Sequence, residues 1–213
     1  GVMNIEYDFS NKNEMLDKLR AYATNEDDDN IRIKEQIKNT FKHCPELLYA
    51  LNNKALENEL FKSDGSLNID EDGEPLGEWD RYFGENSNIR PFLFIPEVQD
   101  SVRNFIAYQT YMDETVRYND AVKIMTVVFT IMVEGHNAID ALTGVARHDL
   151  IASIIREKFA WIGVEVNTPV PKYDKETVSD NSFIVRTLRF EMTLPNSIVK
   201  TTNGVTAYSN KMW

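Results

Sequence analysis

Residues Val122 to Val133 read VKIMTVVFTIMV, the strongest strand signal in the chain. β-Branched and aromatic side chains dominate it, as suits a pleated surface. Its centre, VVFTIMV, is apolar at successive positions and so on both faces of a strand. That pattern predicts a central strand covered from both sides. The apolar run is too short for a membrane helix, which needs ~20 apolar residues, and Lys123, Thr126 and Thr130 interrupt it.

A central strand needs neighbours and a cover. Downstream, Thr187 to Leu194 alternates strictly: Leu188, Phe190, Met192 and Leu194 point one way, Thr187, Arg189, Glu191 and Thr193 the other. This predicts a half-buried strand with a wet or partner-facing side. Upstream, Phe105 to Met112 is rich in aromatic residues and Thr, and PFLFI, Pro91 to Ile95, is a short strand candidate. Between the strands a helix is predicted from about Thr143 to Trp161. Leu150, Ile151, Ile154, Ile155, Phe159 and Ile162 form its apolar stripe, with Arg147, Asp149, Ser153, Arg156 and Glu157 opposite. A Pro-bearing loop, residues 167 to 181, follows. At the end, Asn203-Gly204 between VKTT and VTAY signals a two-residue hairpin.

The first half is helical and polar. Met15, Leu16 and Leu19 stand at helical spacing. The acids Glu26 to Asp29 read as a solvated loop or a helix start, with Asp29 or Asn30 as cap. Ile33, Ile37 and Phe41 recur at i, i+4 and i+8, and PELLYAL opens a second short helix with Pro45 at its first position. From Glu57 to Asp100 twelve acids face three bases, and Asp64-Gly65 and Asp72-Gly73 mark turns. This segment reads as an acidic, loop-rich insertion in a single domain over 1–213. The whole is predicted as α+β: a mainly antiparallel sheet with two packed helices, the insertion and a C-terminal hairpin.

Composition narrows the function. The 213 residues carry 34 acidic against 23 basic side chains, net −11. A protein that coats nucleic acid needs clustered Lys and Arg, so that class is disfavoured. One cysteine, Cys44, rules out an intrachain disulfide. No secretory signal is visible at the N-terminus. There is no GxSxG, P-loop or GxGxxG, so no catalytic residue and no cofactor is expected. Asn68 to Gly73 mimics the start of a calcium loop, with Gly73 at position six. Position twelve falls on Trp79, where a bidentate Glu is needed, so a solvated acidic turn is the better reading. His43, His136 and His148 lack ligand spacing, and Cys44, continuing the Ile33–Phe41 stripe, reads as a buried thiol. No metal is expected; an acidic metal-binding domain or enzyme using Asp70, Asp72 and a histidine is the alternative.

Partner binding remains. The candidates are the outer-face residues Arg189 and Glu191, the terminal aromatics Tyr208 and Trp213, and Trp79 and Tyr82 in the insertion. Each aromatic group either packs back on its own domain or reaches a neighbour, for example by strand addition.

The element order, and the stretches ARHDLIASIIR at 146–156 and RTLRFEMTLPN at 186–196, resemble the tail-terminator and tail-completion (neck) proteins of long-tailed bacteriophages. The likeness spans about Ile31 to Lys200, interrupted by the acidic insertion. The resemblance implies a small α+β subunit that assembles as a ring, typically a hexamer. Such a ring caps the tail tube, meets the head connector and lets DNA pass without specific binding. It implies a virion location, no membrane and no catalytic residue. A head-completion or connector role at the same junction would use similar parts.

Overall fold

A computed structural model describes residues 9–24, 29–96, 103–112, 122–159, 173–179, 181–195, 198–201 and 204–207. It divides into two compact units, Lys34–Asn196 and Gly1–Ile33 with Ser197–Trp213.

The larger unit is built on a five-stranded sheet of order β1-β2-β3-β5-β4. The strands are β1 Ile89–Arg90, β2 Phe105–Met112, β3 Val122–Glu134, β4 Tyr173–Val178 and β5 Phe183–Pro195. Every pairing is antiparallel except β1 with β2. The apolar run at 122–133 does form the middle strand. Along β3, Met125, Val127, Phe129, Ile131 and Val133 are buried on one face, and Thr126, Val128, Thr130 and Met132 on the other. The fold is therefore α+β, as the sequence pattern implies.

The helices are α1 Lys12–Ala23, α2 Asp29–Lys42, α3 Pro45–Ala50, α4 Glu57–Leu60 and α5 Arg147–Phe159. Ile33, Ile37 and Phe41 of α2 are all buried. Asp29 is the first helical residue and pairs with Arg32 at 2.6 Å, so it serves the first turn instead of capping it. Four rings knit the helices to the sheet. Phe159 of α5 lies 4.4 Å from Phe190 of β5 and 5.4 Å from Phe129 of β3, centre to centre, and Phe129 is 5.7 Å from Phe41 of α2. Edge-to-face and offset rings at such separations add to the area they bury. The opposite face has a smaller cluster of Phe105, Ala107, Met132 and Phe183, against which Phe94 and Val185 pack.

Four expectations need correction. PFLFI is not a strand: Pro91 and Pro96 bracket it, only Phe94 turns inward, and the preceding Ile89–Arg90 pairs with β2. The helix predicted from Thr143 begins at Arg147. Asp140 accepts from the Thr143 amide and hydroxyl at 2.9 and 2.8 Å, and Gly144 takes a positive φ of 72°, which together make 140–144 a turn. Arg147 is not on the wet side. It is 3% exposed and donates to Asn137 O, Ala50 O and Asp140 Oδ1 at 2.9, 2.8 and 3.1 Å. Finally, the loop assigned to 167–181 contains β4.

The insertion is folded tightly. Gly65 and Gly73 sit at φ of 84°, closing the two Asp-Gly turns. Trp79 and Tyr82, each 1% exposed, anchor a short 3₁₀ turn, and the Trp79 indole donates to Glu59 O at 2.5 Å.

In the smaller unit, Asn11 caps α1 by accepting from the amides of Asn13 and Glu14 at 3.0 and 3.1 Å. None of the α1 residues is buried. A hairpin is present, one residue earlier than expected: β6 Ile198–Thr201 pairs antiparallel with β7 Gly204–Ala207 as a separate sheet, with Gly204 a strand residue opposite Thr201 and not in the loop.

Candidate functional site

On β5 the buried stripe Leu188, Phe190, Met192, Leu194 extends upstream to Arg186. A charge there must be met by other charges. Register supplies them: Arg186 stands opposite Glu176 of β4, and Leu188 opposite Asp174, so both acids lie on the face that α5 covers. Arg186 grips Asp174 with two parallel bonds, Nε–Oδ1 at 2.8 Å and Nη2–Oδ2 at 2.9 Å, the geometry that makes guanidinium–carboxylate pairs strong. Arg186 Nη1 also donates to Asp149 of α5. Arg156 of α5 reaches Asp174 at 3.0 Å and Ser153 at 3.1 Å. His148 completes the set, with its side chain 5% exposed and Nε2 2.5 Å from Glu176 Oε2. These contacts bolt β4 to α5 across the sheet edge.

His148, Asp149 and Glu176 offer three ligand atoms within 4.8 Å of one another. The hydrogen bonding opposes a cation there. His148 Nε2 faces the Glu176 carboxylate, an acceptor, so a hydrogen bond there needs the proton on Nε2, and Nδ1 is buried with no partner. A metal on Nε2 would move that proton to Nδ1, where nothing accepts it; ligating histidines normally have an acceptor at that second nitrogen. Arg186 already supplies positive charge to Asp149. The cluster works as a polar lock.

The lock positions an edge. All six residues of β4 are exposed, and among the described residues its outer side pairs with no strand. Open edges are ready templates for another strand.

Of the residues expected at an interface, Arg189 and Glu191 lie together on the sheet face away from α5, with Nη2 and Oε1 4.0 Å apart. Arg189 is 43% exposed in its side chain, while its Nε is buried and unbonded. Trp79 and Tyr82 are core residues, so packing on the chain's own domain is the arrangement observed for them. Tyr208 and Trp213 lie outside the described residues. The lock was missed in the sequence, although two signals were present: a charge at 186 continuing an apolar stripe, and the Arg147-His148-Asp149 triplet at a helix start.

The other candidates resolve into local structure. Asp70 Oδ1 accepts from the amides of Asp72 and Glu74, and Asn68 donates to Glu59 O, so the calcium-like stretch is a hairpin turn. His43 bridges Asn39 O and Glu74, and His136 bonds Glu134 at 2.7 Å. Burial pushes the Cys44 thiol up to about 12, far from reactive thiolate chemistry.

The architecture defines a mixed α+β domain with one locked, open sheet edge. The chain belongs to the YomW family, whose model matches residues 45–208. That family derives from Bacillus phage, which makes this a phage-related protein. No curated protein and no solved structure matches the chain. Among the described residues, no helix is long and apolar enough to cross a membrane.

Proposed function

We propose that this chain is a structural protein of the phage neck. It forms a homo-oligomeric ring that ends the tail tube and joins it to the head connector, and it makes and breaks no covalent bond. The observation that carries this reading is the β4 edge, six exposed residues tied to α5 and β5 by ion pairs with no strand on the outer side among the described residues. Membership of a phage-derived family supports it. Arg189, with a side chain 43% exposed on the sheet face away from α5, adds a guanidinium that a neighbouring subunit can meet. Acids of the insertion, facing a lumen, would repel phosphates and let DNA pass without adhering.

Prolines placed singly at Thr177 and Val178 test the edge. Amide directions alternate along a strand, so one of the two removes an outward donor and leaves pairing with β5 intact. That variant should keep the wild-type melting temperature and lose self-association, or attachment to tail tubes, by light scattering and electron microscopy. Rings or tube caps formed equally well by both proline variants would refute the edge as the seam.

A further inference from the structure

A cleft of about 680 Å³ opens where the α3–α4 connection, the insertion and the end of β3 meet. Its walls include Lys54, Arg81, Arg103, His136, Asn53 and Asn137, and none of its described lining residues is acidic. Glu57, Glu78 and Glu134 each pair with one of these cations from outside the lining, so the cleft's own wall is basic while part of its charge is balanced nearby.

The donors are held in place. Lys54 pairs with Glu57 at 2.7 Å, and Arg81 with Glu78 at 2.5 Å. Arg103 donates to Asn86 O at 2.7 Å and lies over the Phe105 ring. The Glu134 carboxylate bonded to His136 raises that imidazole above its usual range and favours its charged form. Asn137 is fixed on two sides: its Oδ1 accepts from Asn52 at 2.9 Å and its carbonyl from Arg147 at 2.9 Å. Its Nδ2 is left buried with no acceptor.

We infer that this cleft binds a terminal phosphate monoester carried on an organic body of roughly nucleotide size. Even after these internal pairings, two guanidinium groups and an ammonium retain more N–H groups than the two oxygens of a carboxylate accept, which favours phosphate. The volume exceeds a bare ion and lies within the range of small-molecule sites. Such a monoester comes from a free nucleotide or from the 5′ end of DNA, and the inference is independent of ring formation.

Calorimetric titration of the full chain with adenosine monophosphate, and with a short single strand bearing either a 5′-phosphate or a 5′-hydroxyl, tests it. Adenosine monophosphate or the 5′-phosphorylated strand should bind saturably. The Lys54→Gln/Arg81→Gln double variant should bind at least about tenfold more weakly, as expected for lost charge-assisted bonds. Its circular dichroism spectrum and melting temperature should match wild type, since both side chains are surface-exposed. Binding of the free nucleotide alone identifies a small-molecule site, and binding of the phosphorylated strand alone a DNA-end site. Failure of both the nucleotide and the phosphorylated strand to bind, equal binding of both strands with no binding of the nucleotide, or unchanged affinity in the double variant overturns the inference.

Discussion

β3 and β4 belong to one sheet and are held by opposite means. β3 is buried on both faces, with the Phe129 ring inside a four-ring cluster and a bonded strand on either side. β4 is exposed at all six positions, has one bonded neighbour among the described residues, and keeps its place through Arg186, Arg156 and His148. Apolar burial makes the centre stable and commits it to one partner set. Ion pairs with partly exposed partners cost little to rearrange, so an edge held by them is free to accept a new strand. The chain separates what makes it fold from what it presents.

The largest effect on this contrast should come from Phe129→Ala. It removes the ring that touches α2, α5 and β5, and a cavity of that kind costs about 3–5 kcal/mol. Urea unfolding should show the midpoint falling with an unchanged slope. A loss near that of an exposed alanine substitution would mean the ring cluster is not the centre of the fold.

Arg147→Ala should come next. It strips Asp140 of its cation and orphans the Ala50 and Asn137 carbonyls, and breaking a buried pair from one side costs about 3–5 kcal/mol. This pair also predicts a pH dependence. Burial alone would raise Asp140, but the Thr143 hydroxyl and amide and the Arg147 charge outweigh it and hold the carboxyl below its usual value. A depressed folded pKa gives stability that is present above the unfolded value, about 3.9, and is lost as pH falls through the folded one. Wild type should therefore lose stability relative to Asp140→Asn as acid is added below that point. Parallel pH profiles for the two proteins would remove the pair from the account.

Arg186→Gln should have a smaller and local effect, about 1–3 kcal/mol for lost charged hydrogen bonds. Amide exchange should quicken in β4 and stay slow in β3, which sharpens the difference between edge and centre. Uniform quickening across both strands would show that β4 is part of the core unit.

How far the sequence reveals this arrangement follows the same division. β3, β2 and the β5 stripe are legible because burial imposes an apolar pattern; Asn-Gly chemistry flags the terminal hairpin but puts its turn one residue late, since Gly204 pairs with Thr201. β4, YDKETV, has no apolar face to detect, since its inward positions, Asp174 and Glu176, are satisfied by charges distant in sequence. PFLFI misleads in the reverse direction: it has strand composition, but proline at its first position and again just after it. Arg147 reads as a solvent-facing helix residue because its partners, Ala50, Asn137 and Asp140, come together only through the fold. The lock at His148 and Arg186 was therefore within reach only as an anomaly in an otherwise apolar stripe.

The claim that matters most is that β4 meets another strand when the protein does its work. Amide hydrogen exchange of β4, compared between the free chain and the chain attached to tail tubes, measures this directly. Slowed exchange at alternate β4 amides upon attachment is the predicted result. Equal exchange in both states, with protection gained elsewhere, would contradict it.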